Sequence, residues 1–171
     1  MYLVGDIGNT DIKICLFNKN LNLIKKIRIK TNLLNNYYLS RNLKFIKNYN
    51  LEIEKVLICS VVPLAYKKIK KFIEKSIKVE CNELKQLKLN NFLKIRVNKK
   101  QIGSDRLANA ISAIDKKRNY IVIDFGTATN FDVVIKDNYI GGIIAPGVNL
   151  SLSTLSDKAS LIPKIKLEKI N

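Results

Sequence analysis

Histidine is absent from this 171-residue chain. That removes Ser-His-Asp and Cys-His catalysis, and every histidine-ligated metal, from the functions open to it. A general base must then be a carboxylate or, less favourably, a lysine. Cysteine is scarce: Cys15, Cys59 and Cys81 stand alone in apolar or strand-like segments. An odd number with no Cys-x-x-Cys pair gives neither a disulfide framework nor a zinc site, so all three read as small buried hydrophobes. No uncharged apolar run approaches the ~20 residues needed to cross a membrane. The first residues enter a strand at once, without the basic region and apolar core of a secretory signal. The expectation is a cytoplasmic protein with no membrane partner. Acidic residues are also few, 14 Asp and Glu against 31 Lys and Arg, for a formal charge of +17. The lysines are spread along the whole chain among Asn and Ile and do not alternate with aromatics. That distribution reads as solvated surface and compositional drift, and nucleic acid is not the expected partner.

What the chain does have is a near-repeat. Asp6-Ile7-Gly8-Asn9-Thr10 follows the apolar run Tyr2–Val4 and precedes Ile12–Phe17; Asp124-Phe125-Gly126-Thr127-Ala128-Thr129 follows Tyr120–Ile123 and precedes Phe131–Ile135. Strand, Asp-x-Gly turn, strand describes a β-hairpin whose Gly permits positive φ and close approach of a ligand. Hydroxyls and free N–H groups at the tip suit a phosphate, and the Asp suits the cation that accompanies one. Two copies suggest two related lobes gripping one nucleotide. For a single turn, an Asp that merely caps a tight hairpin is the better account; two matched turns favour ligand binding.

The remaining pattern fills in an α/β chain. Tyr2–Asp6, Ile12–Phe17 and Leu23–Lys30 read as a strand meander, residues 33–49 as an amphipathic helix, Val56–Val62 as a strand buried on both faces, Leu64–Ile77 as a helix with a lysine-rich outer face, and Ile77–Cys81 as a short strand. The polar stretch 82–102 marks a lobe boundary, placed between residues 95 and 96. Ser104 reads as an N-cap with Asp105 in the first helical turn. Tyr139–Gly147 is a strand with Gly141 and Gly142 inside it, and Leu150–Leu155 opens a helix. Those glycines, with Pro146-Gly147, serve either close packing and helix entry or contact with a nucleotide base. The tail 162–171 has no capping signal, and by symmetry with the first lobe (1–95) the second (96–171) is expected to be incomplete.

Five segments, Asp6–Thr10, Ser60-Val61-Val62-Pro63, Gly103-Ser104-Asp105-Arg106, Asp124–Thr129 and Gly141–Gly147, occur in an order and spacing that resemble the type III pantothenate kinases. That family lies within the actin-like, sugar-kinase-like ATPases. The resemblance implies duplicated ribonuclease-H-like lobes with mixed sheets flanked by helices, and ATP-dependent phosphorylation of pantothenate to 4′-phosphopantothenate, the first step toward coenzyme A. It implies nucleotide binding by Asp6, Gly8, Asn9, Thr10, Asp11, Lys13 and Thr127; a general base at Asp105; and pantothenate binding by Gly103, Ser104, Asp105 and Arg106. It also implies Mg²⁺ held through water by Asp6, a monovalent cation (K⁺ or NH₄⁺) held by Asp124, and a homodimer. Arg96 and Lys99 stand where the family has Tyr and Pro, which assigns Arg96 to the substrate's carboxylate. The alternative is an inactive remnant, or a regulatory protein that binds nucleotide or nucleic acid on the same fold.

Overall fold

A computed structural model describes residues 1–159, 162, 163 and 165. Most of the tail 162–171 therefore lies outside the described residues. The chain forms two compact units, Met1–Leu89 with Gln101–Ala108, and Asn90–Lys100 with the chain from Asn109 onward.

In the first unit, β1 (Tyr2–Ile7), β2 (Asp11–Phe17), β3 (Leu23–Lys30), α1 (Asn36–Asn42), β4 (Lys55–Ser60), α2 (Pro63–Ile77) and β5 (Cys81–Glu83) follow one another. They build a five-stranded mixed sheet of order β3-β2-β1-β4-β5. The β1-β2-β3 meander is antiparallel, and β1, β4 and β5 run parallel. Period-two alternation sends Leu3, Ile7, Ile12, Ile14, Leu16, Val56 and Ile58 into one core. The helices cover that face. Tyr66, Ile69, Ile73 and Ile77 form the buried stripe of α2, with Lys67, Lys68, Lys71 and Lys75 exposed on its outer side. Pro63 starts α2 with a φ already suited to a helix.

Three expectations change here. The helix over 33–49 is broken into a 3-10 turn at Thr31–Leu33, the short α1, and a 3-10 stretch at Lys44–Tyr49. Asn is a poor helix interior residue and a good cap, and the Asn35 side chain accepts the Tyr38 N–H at 2.8 Å to start α1. The strand placed at Ile77–Cys81 begins only at Cys81, because α2 runs to Ile77 and Lys78 takes a left-handed φ of 55° that ends it. β4 is buried on one face rather than two: Val56 and Ile58 are inside, Leu57 and Cys59 half-buried.

In the second unit come β6 (Lys94–Ile95), α3 (Ser104–Ser112), β7 (Asn119–Phe125), β8 (Ala128–Ile135), β9 (Asn138–Pro146) and α4 (Val148–Lys158), though α3 gives its first five residues to the first unit. The sheet has order β6-β9-β8-β7, with β7, β8 and β9 antiparallel and β6 parallel to β9. Sequence reasoning missed β6, which is two residues long and carries no periodicity. The glycines inside β9 have a backbone cause: the register shifts between Val133 and Val134, and Gly141 opposite the shift has φ of 123°, a bulge conformation that only glycine adopts freely. Tyr139 and Asp132 are fully buried, and the phenol donates to the carboxylate at 2.6 Å. Ile121, Ile123 and Phe125 on β7, with Ile143 on β9, present apolar side chains to solvent.

Candidate active site

The β1–β2 turn carries the first group of candidate residues. Asp6 lies directly across the strand pair from Lys13, and the ammonium approaches its carboxylate at 3.3 Å with both groups about half exposed. The turn closes through Gly8 N–H to Asp11 C=O at 3.0 Å. Neither Gly8 nor Gly126 takes a positive φ; Gly141 alone among the described glycines does. The expected φ argument therefore fails for both turns, and the reason for Gly8 is space. A Cβ there would stand 3.2 Å from the Asp11 carbonyl oxygen. Asn9 and Thr10 are exposed at the tip.

Asp11 is placed differently from its neighbours. Its carboxylate is gripped by Arg28 and, at 2.9 Å, by Lys30, both from β3. The hydrogen bond from Arg28, then that from Lys30, draws its pKa down to about 2. Asp11 thus ties β2 to β3 beneath the turn. A carboxyl whose folded pKa lies below its unfolded value stabilises the fold above the unfolded pKa and loses that contribution as pH falls through the folded one. Acid unfolding followed by circular dichroism should show stability falling between about pH 4 and 2, with that slope reduced in Asp11→Asn.

Thr31, which no motif singled out, fastens the same turn from the end of β3. Its hydroxyl donates to the Gly8 carbonyl at 2.8 Å and its N–H to the Thr10 carbonyl at 3.0 Å. Thr31→Val keeps the shape and loses the hydroxyl bond. Its expected effect is a loss of roughly 1 kcal/mol of stability for one hydrogen bond; a thermal melt reads it.

Ser60–Pro63 continues from β4. Val61 N–H donates to the Ile7 carbonyl at 3.1 Å, and the Ser60 hydroxyl accepts Val62 N–H at 3.1 Å. This segment meets the next one, since a Cβ on Gly103 would stand 3.3 Å from Val61 Cγ1. The same Cβ would stand 2.3 Å from Asp105 Oδ1, so the Asp105 carboxylate rests against the bare Cα of Gly103. Arg106 N–H donates to that oxygen at 2.8 Å. Ser104 begins α3 as its first helical residue and is buried, as is Arg106; Asp105 is half-buried. The expected N-cap is shifted by one: Gly103 C=O accepts Leu107 N–H at 3.2 Å, the first bond of the helix. Cys59, paired in register with Asp6, is held protonated with its pKa pushed up to about 11 by burial, with Asp6, Glu83 and Asp105 adding to the effect. Its thiol is no nucleophile.

Asp6, Gly8, Asn9, Thr10, Asp11, Lys13, Gly103, Ser104, Asp105 and Arg106 all belong to the first unit. Gly103→Ala should leave the fold intact, because the obstructing atom is the end of a side chain that can turn away. Its cost should fall on the placing of the Asp105 carboxylate, which would be displaced. A thermal melt close to wild type beside a shifted Asp105 carboxyl resonance is the expected pair of readings.

Asp124, Thr127 and Arg96 belong to the second unit. Asp124 accepts from Asn109 Nδ2 at 3.1 Å. Its turn closes through Gly126 N–H to the Ala128 carbonyl at 3.0 Å. Gly147 N–H donates to the Thr127 carbonyl at 3.1 Å, and a Cβ on Gly147 would meet the carbonyl oxygens of Gly126 and Thr127 at 2.4 Å each. Gly147 therefore serves packing against the turn backbone. Arg96 is exposed just after β6, its Nε donating to Asn138 Oδ1 at 2.8 Å.

The chain is a mixed α/β protein in two units, each with a hairpin turned at an Asp-x-Gly sequence. The structure resembles, at a TM-score of 0.57 and 20% identity over 99% of this chain and 67% of the other, a Campylobacter jejuni protein described as a Baf family transcriptional activator. It also resembles a Sinorhizobium meliloti protein described as a 2-dehydro-3-deoxygalactonokinase, at 0.50 and 8% over 94% and 58%. The chain belongs to the type III pantothenate kinase family, whose sequence profile matches residues 2–171. A type III pantothenate kinase from Pelagibacter ubique is 56% identical over 171 residues, covering all of this chain and 69% of the relative. One from Sulfurihydrogenibium sp. is 36% identical over 182 residues, covering 99% and 69%.

Proposed function

We infer that this protein transfers the γ-phosphoryl group of ATP to the primary hydroxyl of pantothenate, giving 4′-phosphopantothenate and ADP at the entry to coenzyme A biosynthesis. Membership of the family supports the reaction and its substrates. The observation that carries the mechanism is the Asp105 carboxylate seated on Gly103, in the same unit as the Asp6 turn.

Phosphoryl transfer asks for positioning and charge neutralisation more than for covalent chemistry. The backbone of Gly8–Thr10 and the Lys13 ammonium would receive phosphate oxygens, with Gly8 leaving room for close approach. Asp105 would accept the proton of the attacking hydroxyl as the new O–P bond forms and the bond to ADP breaks. Ser104 and Arg106 would hold pantothenate. Arg106 is buried, which suits a desolvated guanidinium forked onto a carboxylate. Asp6, one half-exposed carboxylate opposed by Lys13, fits a Mg²⁺ that keeps its water and takes its remaining ligands from phosphate; among the described residues no cluster of three metal-ligating side chains exists. Such an ion would neutralise charge on the phosphates. Asp124, with the Asn109 amide beside it, is proposed to bind a monovalent cation, Thr127 the nucleotide, and Arg96 the substrate's carboxylate. Assembly as a homodimer and residence in the cytoplasm belong to the same proposal. Among the described residues no helix is long and apolar enough to cross a membrane.

The test is ADP release measured with ATP alone, with pantothenate, and with other primary alcohols bearing a carboxylate. Release that depends on pantothenate supports the reading. Release that depends on a different alcohol would keep the fold and change the substrate.

A further inference from the structure

We propose that Lys85 is a positioning residue for Asp105, acting through the peptide that joins Ile102 to Gly103. The inference rests on the kinase reading above and adds a residue outside its motifs. Lys85 lies in the 3-10 turn Leu84–Gln86 that follows β5. Its half-buried ammonium donates to the Ile102 carbonyl at 2.7 Å, across 17 residues of sequence. A bond to an ammonium is shorter and stronger than a neutral one. The Ile102 side chain is itself buried, so the peptide is fixed on two sides.

What that peptide carries makes the contact matter. Gly103 is its second residue, and the Asp105 carboxylate packs against the Gly103 Cα with no room for a methyl group. Gly103 C=O also accepts the first hydrogen bond of α3, from Leu107 N–H. Turning the Ile102–Gly103 peptide would therefore shift both the surface on which the carboxylate rests and the entry of the helix that bears it. The sequence hides this role, because Lys85 sits in a lysine-rich polar stretch with no periodicity.

The full chain, labelled with ¹³C at the aspartate carboxyl carbons, tests this by NMR, with the Asp105 resonance assigned by its loss in Asp105→Asn. Lys85→Met is expected to move the Asp105 resonance while leaving that of Asp6 in place. It should also lower kcat about 10- to 100-fold at unchanged KM for ATP. Lys85→Arg, which restores a charged donor, should return both toward wild type, and Lys85→Gln, a neutral donor, should fall between. A Lys85→Met protein whose Asp105 resonance matches wild type overturns the inference, as does one in which every aspartate resonance moves alike. If the Asp105 resonance moves while kcat holds, Lys85 does set the carboxylate and it is Asp105 as general base that fails.

Discussion

Asp105→Asn is expected to lower kcat by about two to four orders of magnitude, the range a positioned general base contributes, with little change in KM for ATP. Asn keeps the shape of the side chain and its oxygen can still accept from Arg106 N–H, as Asp105 does at 2.8 Å. What it loses is the ability to take a proton. The turn at Gly8–Thr10, proposed to receive the nucleotide, is held by Asp11, Thr31 and its own backbone, none of which the substitution touches. A variant that binds ATP as wild type does and turns over at the wild-type rate would remove Asp105 from the mechanism.

Gly147→Ala should produce the largest loss of stability among the glycine substitutions. Its Cβ would overlap the carbonyl oxygens of Gly126 and Thr127 at 2.4 Å and the Thr127 carbonyl carbon at 2.8 Å. All three are backbone atoms, so relief requires displacing the β7–β8 turn and with it the bond from Gly147 N–H to Thr127. Overpacking costs about 1–3 kcal/mol, and a clash with backbone places this one near about 3 kcal/mol, which for a chain of this size lowers Tm by about 6–12 °C. Gly126→Ala makes the contrast. Its Cβ would lie 3.5 Å from the Ala128 carbonyl oxygen, an ordinary contact, and its φ is not positive. It should melt within a degree or two of wild type. Scanning calorimetry on the two variants side by side reads both expectations.

The sequence was legible where local rules and tertiary structure agree. The strands read at Tyr2–Asp6 and Ile12–Phe17 fall on the observed hairpin of Tyr2–Ile7 and Asp11–Phe17, whose register is fixed because one face of that sheet is buried and a one-residue slip would invert it. The apolar spacing of Ala65, Tyr66, Ile69, Ile73 and Ile77 gave α2 almost to the residue. Gly103–Arg106 and Asp6–Thr10 stood out as motifs, and both lie in the first unit. What was not legible depends on contacts distant in sequence. Thr31 reaches Gly8 across 23 positions and Lys85 reaches Ile102 across 17, and neither residue type signals such a role. Asp11 abuts the turn, and its carboxylate is held by Arg28 and Lys30 of β3, a pairing that no motif marks. Gly8 and Gly126 were expected to use a positive φ, which neither takes, whereas Gly8, Gly103 and Gly147 are explained by the atoms a Cβ would strike. Space of that kind is a property of the folded chain and leaves no mark on neighbouring residues.

The family relation leaves one chemical question for the molecule itself: whether the phosphoryl group reaches pantothenate. Incubation of the wild-type chain with ATP, Mg²⁺ and pantothenate, followed by mass spectrometry of the small molecules, answers it. The account predicts pantothenate carrying one phosphoryl group, formed together with ADP and greatly reduced with Asp105→Asn. Pantothenate recovered unmodified by a folded protein that binds ATP would contradict it.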